Sequence, residues 1–130
     1  MVIDSSAIVA ILGNEPETER LSRAIALSGA PRLSAAAKVE IALVMASRRG
    51  PGGIEDMRRL LSRTQILVEP VTDRQAELAI SALQVYGKGR HPAGLNFGDC
   101  LVYALAKDLG EPLLFKGTDF AKTDIEVAPY

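Results

Sequence analysis

The sequence predicts an α/β fold: a mainly parallel sheet of about five strands with helices on both faces. Three observations lead there. Short apolar runs such as Val2-Ile3 and Leu113-Leu114-Phe115 alternate with longer stretches of helical composition. Proline, glycine and cap-forming residues stand at the junctions, and no repeat or low-complexity segment interrupts the alternation. The 130 residues, 48% hydrophobic and 24% charged, suit one globular domain over residues 1–130 with enough chain to bury a core.

Val2-Ile3 reads as a strand ending at Asp4, and Ser5-Ser6 opens a helix through Leu12. Glu15-Pro16-Glu17 begins a second helix, whose apolar face is Leu21, Ala24, Ile25 and Leu27. Arg32-Leu33 is a weak strand before Ser34, an N-cap for a third helix from Ala35 to Arg48, which stops at Gly50-Pro51-Gly52-Gly53. A fourth helix is expected over Ile54 to Ser62, then a buried strand at Ile66-Leu67-Val68. Thr72-Asp73-Arg74-Gln75 has the form of a capping box for a helix to Tyr86. Asn96-Phe97-Gly98-Asp99 starts another, closed by Gly110 and Pro112. Leu113-Leu114-Phe115 is the fourth strand, Gly117-Thr118-Asp119 a turn, and Ile125-Glu126-Val127 a last short strand.

The net charge of −1 argues against a protein that coats nucleic acid by charge alone. Its distribution is uneven. No acid lies between Glu77 and Asp99, where Lys88, Arg90 and His91 sit among glycines in what reads as a basic, flexible loop. Arg48 and Arg49 fall in a second acid-free stretch, but arginine at a helix C-terminus needs no further explanation. The single cysteine, Cys100, cannot form an internal disulfide and, beside Leu101 and Val102, reads as a reduced core residue. No basic stretch or long apolar run follows Met1, so neither a signal peptide nor a membrane span is expected, and the cytoplasm is the expected compartment.

The chemistry is carried by acids. Asp4 and Asp119 each follow an apolar strand and should stand at the carboxyl-end rim where parallel sheets bind ligands. Asp99 lies in the first turn of a helix starting on that rim. Glu40 sits inside an alanine-rich helix, where a carboxylate is costly to bury without a cation or donor. Taken singly, the aspartates have ordinary explanations as caps or turn residues, and Glu40 can be half exposed. Taken together they imply a counter-charge, because two carboxylates about 5 Å apart at an effective dielectric of about 20 repel by roughly 3 kcal/mol. An all-oxygen set favours Mg²⁺ or Mn²⁺ over zinc, and such an ion suits attack of water on a phosphodiester.

In these segments, taken in order, the sequence resembles the PIN-domain family, and within it the VapC-type toxins, over essentially the whole chain. Met1-Val2-Ile3-Asp4-Ser5-Ser6-Ala7 resembles the opening strand with its first metal aspartate and hydroxyl residue, mapping Asp4 and Ser6. Glu40 matches the acid of the third helix. Tyr86-Gly87-Lys88-Gly89-Arg90-His91 through Leu95-Asn96-Phe97-Gly98-Asp99-Cys100 resembles the stretch carrying the third acid. Leu113 to Phe120 resembles the terminal motif, with Asp119 the fourth acid and Thr118 beside it. Two positions depart from the pattern, Ser5 where threonine is frequent and Lys116 where small or polar residues are common.

The resemblance implies a PIN fold and a metal-dependent endoribonuclease that forms a homodimer and is blocked by a cognate antitoxin. It further implies that Asp4, Glu40 and Asp99 bind Mg²⁺ or Mn²⁺, that Asp119 makes a second or water-mediated contact, and that Ser6 or Thr118 orients a carboxylate or water. Lys88, Arg90 and His91 are candidates for holding RNA phosphates. The alternative is a PIN-like domain that binds RNA or protein without cutting. A receiver domain would need an aspartate where Glu69-Pro70 follows the third strand, a haloacid-dehalogenase phosphatase would need one at Ser6, and Gly87-Lys88-Gly89 lacks the spacing of a phosphate-binding P-loop.

Overall fold

The computed structural model describes all residues, 1–130. Four strands, β1 (Val2–Ile3), β2 (Arg32–Ser34), β3 (Leu67–Glu69) and β4 (Leu113–Leu114), form a wholly parallel sheet in the order β3-β2-β1-β4. Six helices connect them: α1 (Ser5–Leu12), α2 (Thr18–Leu27), α3 (Ala35–Arg49), α4 (Pro51–Arg63), α5 (Asp73–Tyr86) and α6 (Phe97–Leu109). Successive residues of a strand point to opposite faces, and Val2, Ile3, Leu113 and Leu114 are all fully buried, so the centre of the sheet is covered on both sides.

The sheet has four strands rather than the expected five. Val127 makes one isolated parallel bridge to Leu113 and pairing goes no further, since Thr123 Oγ1 turns the chain by accepting from the Ile125 N–H, and Pro129 has no N–H to donate. A second expectation also fails. Ile66 is buried but precedes the strand, while Leu67 and Val68 of β3 are about half exposed, because β3 is the sheet edge.

The glycine-rich break after α3 is a tight turn. Gly50, at φ +62°, makes the turn, and α4 begins at Pro51 rather than Ile54. A Cβ on Gly53 would stand 2.4 Å from the Met45 carbonyl oxygen, so that glycine lets α4 pack directly onto α3. The capping box expected for α5 is half formed: Thr72 accepts from the Gln75 N–H, but the Gln75 amide donates instead to Asp108 on α6, 3.2 Å away. Cys100 is buried, as expected. No helix is long and apolar enough to cross a membrane.

Candidate active site

Asp4 leaves the carboxyl end of β1 and caps α1, its Oδ2 accepting from the Ser6 N–H at 2.9 Å. It is only 4% exposed, and its other oxygen, Oδ1, has no hydrogen-bond partner. Burial raises its pKa above the ordinary carboxyl value, against the pull of the Ser6 hydroxyl and the Ser5 and Ser6 backbone, and the charge of Asp119 pushes it further up. Ser6 has a second task, since its Oγ accepts from the Lys116 N–H at 3.0 Å and fastens the start of α1 to the segment after β4. The Lys116 ammonium turns away from the acids to pair with Glu15 and Glu17.

Glu40 projects from α3 and is half-buried. Burial raises its pKa and Asp4 adds to that, while a hydrogen bond from the Ser5 hydroxyl lowers it. Opposite it lies the first turn of α6, where a Cβ on Gly98 would be 3.0 Å from Glu40 Oε2. The absent side chain is therefore the space that admits the carboxylate. Asp99 completes a capping box with Asn96: the Asp99 N–H donates to Asn96 Oδ1 and the Asn96 N–H to Asp99 Oδ2, both at 2.9 Å. Burial, and then the charges of Asp4, Glu40 and Asp119, push the Asp99 carboxyl up to about 6 despite the bond from Asn96.

Asp4, Glu40 and Asp99 thus share one electrostatic environment at the carboxyl end of the sheet. Asp119 is exposed and senses the others by charge, and Thr118 is exposed with no side-chain hydrogen bond. No three acidic, cysteine or histidine side chains stand as a ready-made ligand cage. One oxygen each of Asp4 and Asp99 is committed to a helix cap, which leaves the other oxygen of each carboxylate for further contacts. The residues nonetheless fit a hard divalent cation. The donors are all oxygens, Asp4 Oδ1 is buried with a vacant lone pair, and Gly98 leaves room for Glu40. Ser5 and Gly98 are the two participants that sequence reasoning missed. Only Ser5, one residue past Asp4, carried a readable signal.

The basic loop is drawn together by hydrogen bonds. Lys88 N–H donates to Leu95, Leu95 N–H to Tyr86, and the Arg90 and His91 N–H groups to Gly87. His91 is an internal strut: its ring meets Tyr86 edge-on at 5.1 Å and its Nδ1 accepts from the Ala93 N–H. Lys88 and Arg90 remain exposed.

The PIN domain model matches residues 1–126. Ribonuclease VapC28 of Mycobacterium tuberculosis is 47% identical over 129 residues, covering 98% of this chain and 97% of that protein. Ribonuclease VapC of Mycolicibacterium smegmatis is 48% identical over 125 residues, covering 96% and 97%. Among solved structures, the M. tuberculosis VapC20 toxin, described as cleaving the sarcin-ricin loop, superposes with a TM-score of 0.79 at 19% identity, covering 98% of each chain. A Klebsiella pneumoniae toxin–antitoxin complex gives 0.75 at 21% identity, covering 99% of this chain and 97% of its own. Those two show the shared fold, and the family match with the near full-length relatives goes further: this chain belongs to the PIN-domain family.

Proposed function

We propose that this protein is a metal-dependent endoribonuclease, the toxin of a VapBC-type toxin–antitoxin pair, and that residues 1–130 act as one catalytic domain. The observation that carries the site assignment is the unpartnered, buried Oδ1 of Asp4 beside two further carboxyls held above their ordinary pKa. Relatives at 47–48% identity over nearly the whole chain are named ribonucleases, which supports the reaction class.

Asp4, Glu40 and Asp99 would hold Mg²⁺ or Mn²⁺, with Asp119 at the solvent side. Bound there, the ion supplies charge neutralisation at the phosphodiester and lowers the pKa of water. Ser6 holds Asp4 in its orientation and ties it to the β4 segment, while the Ser5 hydroxyl favours the charged form of Glu40. Lys88 and Arg90, exposed on an acid-free stretch, draw RNA phosphates toward the rim. His91, braced against Tyr86, sets the loop's shape. The expected setting is a cytoplasmic homodimer restrained by a cognate antitoxin.

Incubating antitoxin-free protein with total cellular RNA in Mg²⁺, in Mn²⁺ and in EDTA tests this, beside an Asp4→Asn variant that keeps an oxygen to cap α1. Fragments are expected only with metal and only from the parent protein. Equal cleavage by the variant would overturn the site. Absence of cleavage by folded, metal-binding protein would turn the reading to a non-catalytic RNA- or protein-binding domain.

A further inference from the structure

Lys116 departs from the family pattern in the terminal motif, and it is tied down at both backbone and side chain. Its N–H donates to Ser6 Oγ at 3.0 Å, and Ser6 in turn holds Asp4. Its ammonium donates to Glu15 and lies 3.0 Å from a Glu17 oxygen, both on the turn that joins α1 to α2. That turn is itself fixed to the body of the protein. The Glu15 N–H and the Thr18 hydroxyl both donate to the Ala10 carbonyl, at 3.0 and 3.2 Å, and Arg49 of α3 donates to the Leu12 carbonyl at 2.9 Å.

Asp119 follows Lys116 after Gly117 and Thr118. Gly117, at φ +115°, bends the chain in a conformation that a side chain resists. Beyond Asp119, Phe120 is buried with its ring 5.2 Å from that of Phe115. Asp119 makes no side-chain cap bond of its own, so its place is set by the anchored residues on either side.

We propose that Lys116 is a positioning residue that sets the separation of Asp4 and Asp119: its backbone is joined to Asp4 through Ser6, and its ammonium, clasped by Glu15 and Glu17, holds the turn that carries Asp119 against the α1–α2 connection. This rests on the metal site proposed above, in which both aspartates serve the same ion. A small side chain at this position would leave Glu17 without an ion pair and Glu15 with only Arg48, 4.0 Å away. The turn would then be fastened to α1 by its backbone bond alone. The sign of the effect separates positioning from plain charge. Removing a positive charge near the acids would by Coulomb attraction alone tighten a bound cation, whereas loss of alignment loosens it.

The test titrates the intact chain with Mn²⁺ alone by calorimetry, in the parent protein and in the Asp119→Asn variant, each with and without Lys116→Met. In the parent, Lys116→Met is expected to weaken Mn²⁺ binding about tenfold, and Lys116→Arg, which returns a cation to Glu15 and Glu17, to stay within about threefold. In the Asp119→Asn background Lys116→Met should change the affinity by no more than about twofold, because the separation no longer matters. Tighter Mn²⁺ binding by Lys116→Met, a lower Tm with unchanged affinity, or an equal loss in both backgrounds overturns the proposal. A parent protein that binds no Mn²⁺ rejects the metal site and the positioning role with it. A parent that binds Mn²⁺ but cuts no RNA rejects the nuclease reading alone, and the titrations still decide the role of Lys116.

Discussion

Replacing Asp99 by Asn should stabilise the metal-free protein near neutral pH while removing a metal ligand. Burial and three neighbouring carboxylates raise the Asp99 carboxyl from 3.8 to about 6. At about 1.4 kcal/mol per pKa unit the full shift is worth roughly 3 kcal/mol, and the side chain's partial exposure reduces it to about 1–2 kcal/mol. A charge in the first turn also interacts favourably with the helix N-terminus, by about 0.3–1 kcal/mol, which the Asn variant forgoes. The net gain is about 1 kcal/mol, or about 3–5 °C in Tm for a chain of this size. The Asn side-chain oxygen still accepts from the Asn96 N–H, so the cap survives. Because the folded pKa lies above the unfolded one, the parent protein's deficit grows as pH rises through about 6 and vanishes below about 4, where the carboxyl is neutral in both states. Thermal unfolding in EDTA at about pH 8 and about pH 4 reads this directly. Added Mn²⁺ should reverse the order by stabilising only the parent. A variant less stable than the parent at the higher pH in EDTA, or a gain unchanged at the lower, would refute the shared-charge account.

Gly98→Ala should lower Mn²⁺ affinity by about tenfold in a calorimetric titration, with partial recovery when Glu40→Asp shortens the crowded side chain. Gly53→Ala should cost about 2 kcal/mol or more in denaturant unfolding, since a Cβ 2.4 Å from the Met45 carbonyl outweighs the helix propensity gained. Thr118→Ala, at an exposed position without a hydrogen bond, should change cleavage less than about threefold, whereas Ser6→Ala, which frees the Lys116 N–H, should lose about 1 kcal/mol of stability.

The parts of this molecule written in local chemistry could be read from the sequence. Ser34 and Thr72 cap the helices they were expected to cap, and Gly110 ends α6 in the left-handed conformation. Asp4 falls at the end of β1 and Asp99 in the first turn of α6, as their order suggested, whereas Asp119 stands beyond β4 at the start of a short 3-10 turn. What escaped reading depends on partners far along the chain. Leu67-Val68 has the composition of a covered strand, and only the sheet order puts it at the edge. Gly53 reads as part of a helix stop until Met45 is placed against it. The loop of residues 87–95 reads as open by its glycines, yet Leu95 closes it, donating its N–H to the Tyr86 carbonyl and accepting from the Lys88 N–H. Gly98 gave no local sign of its role, because what it does is leave room for Glu40 from another helix.

The position of β1 between β2 and β4 has a consequence for synthesis. The first strand to leave the ribosome cannot complete its pairing until Leu113 and Leu114 have emerged, and the bond from the Lys116 N–H to Ser6 spans 110 residues. Until then one edge of β1 is open and the anchorage beneath Asp4 is missing. A nascent chain halted before β4 therefore carries Asp4, Glu40 and Asp99 without the strand and the Lys116 contact that anchor β1 and Ser6, and it lacks Asp119 altogether.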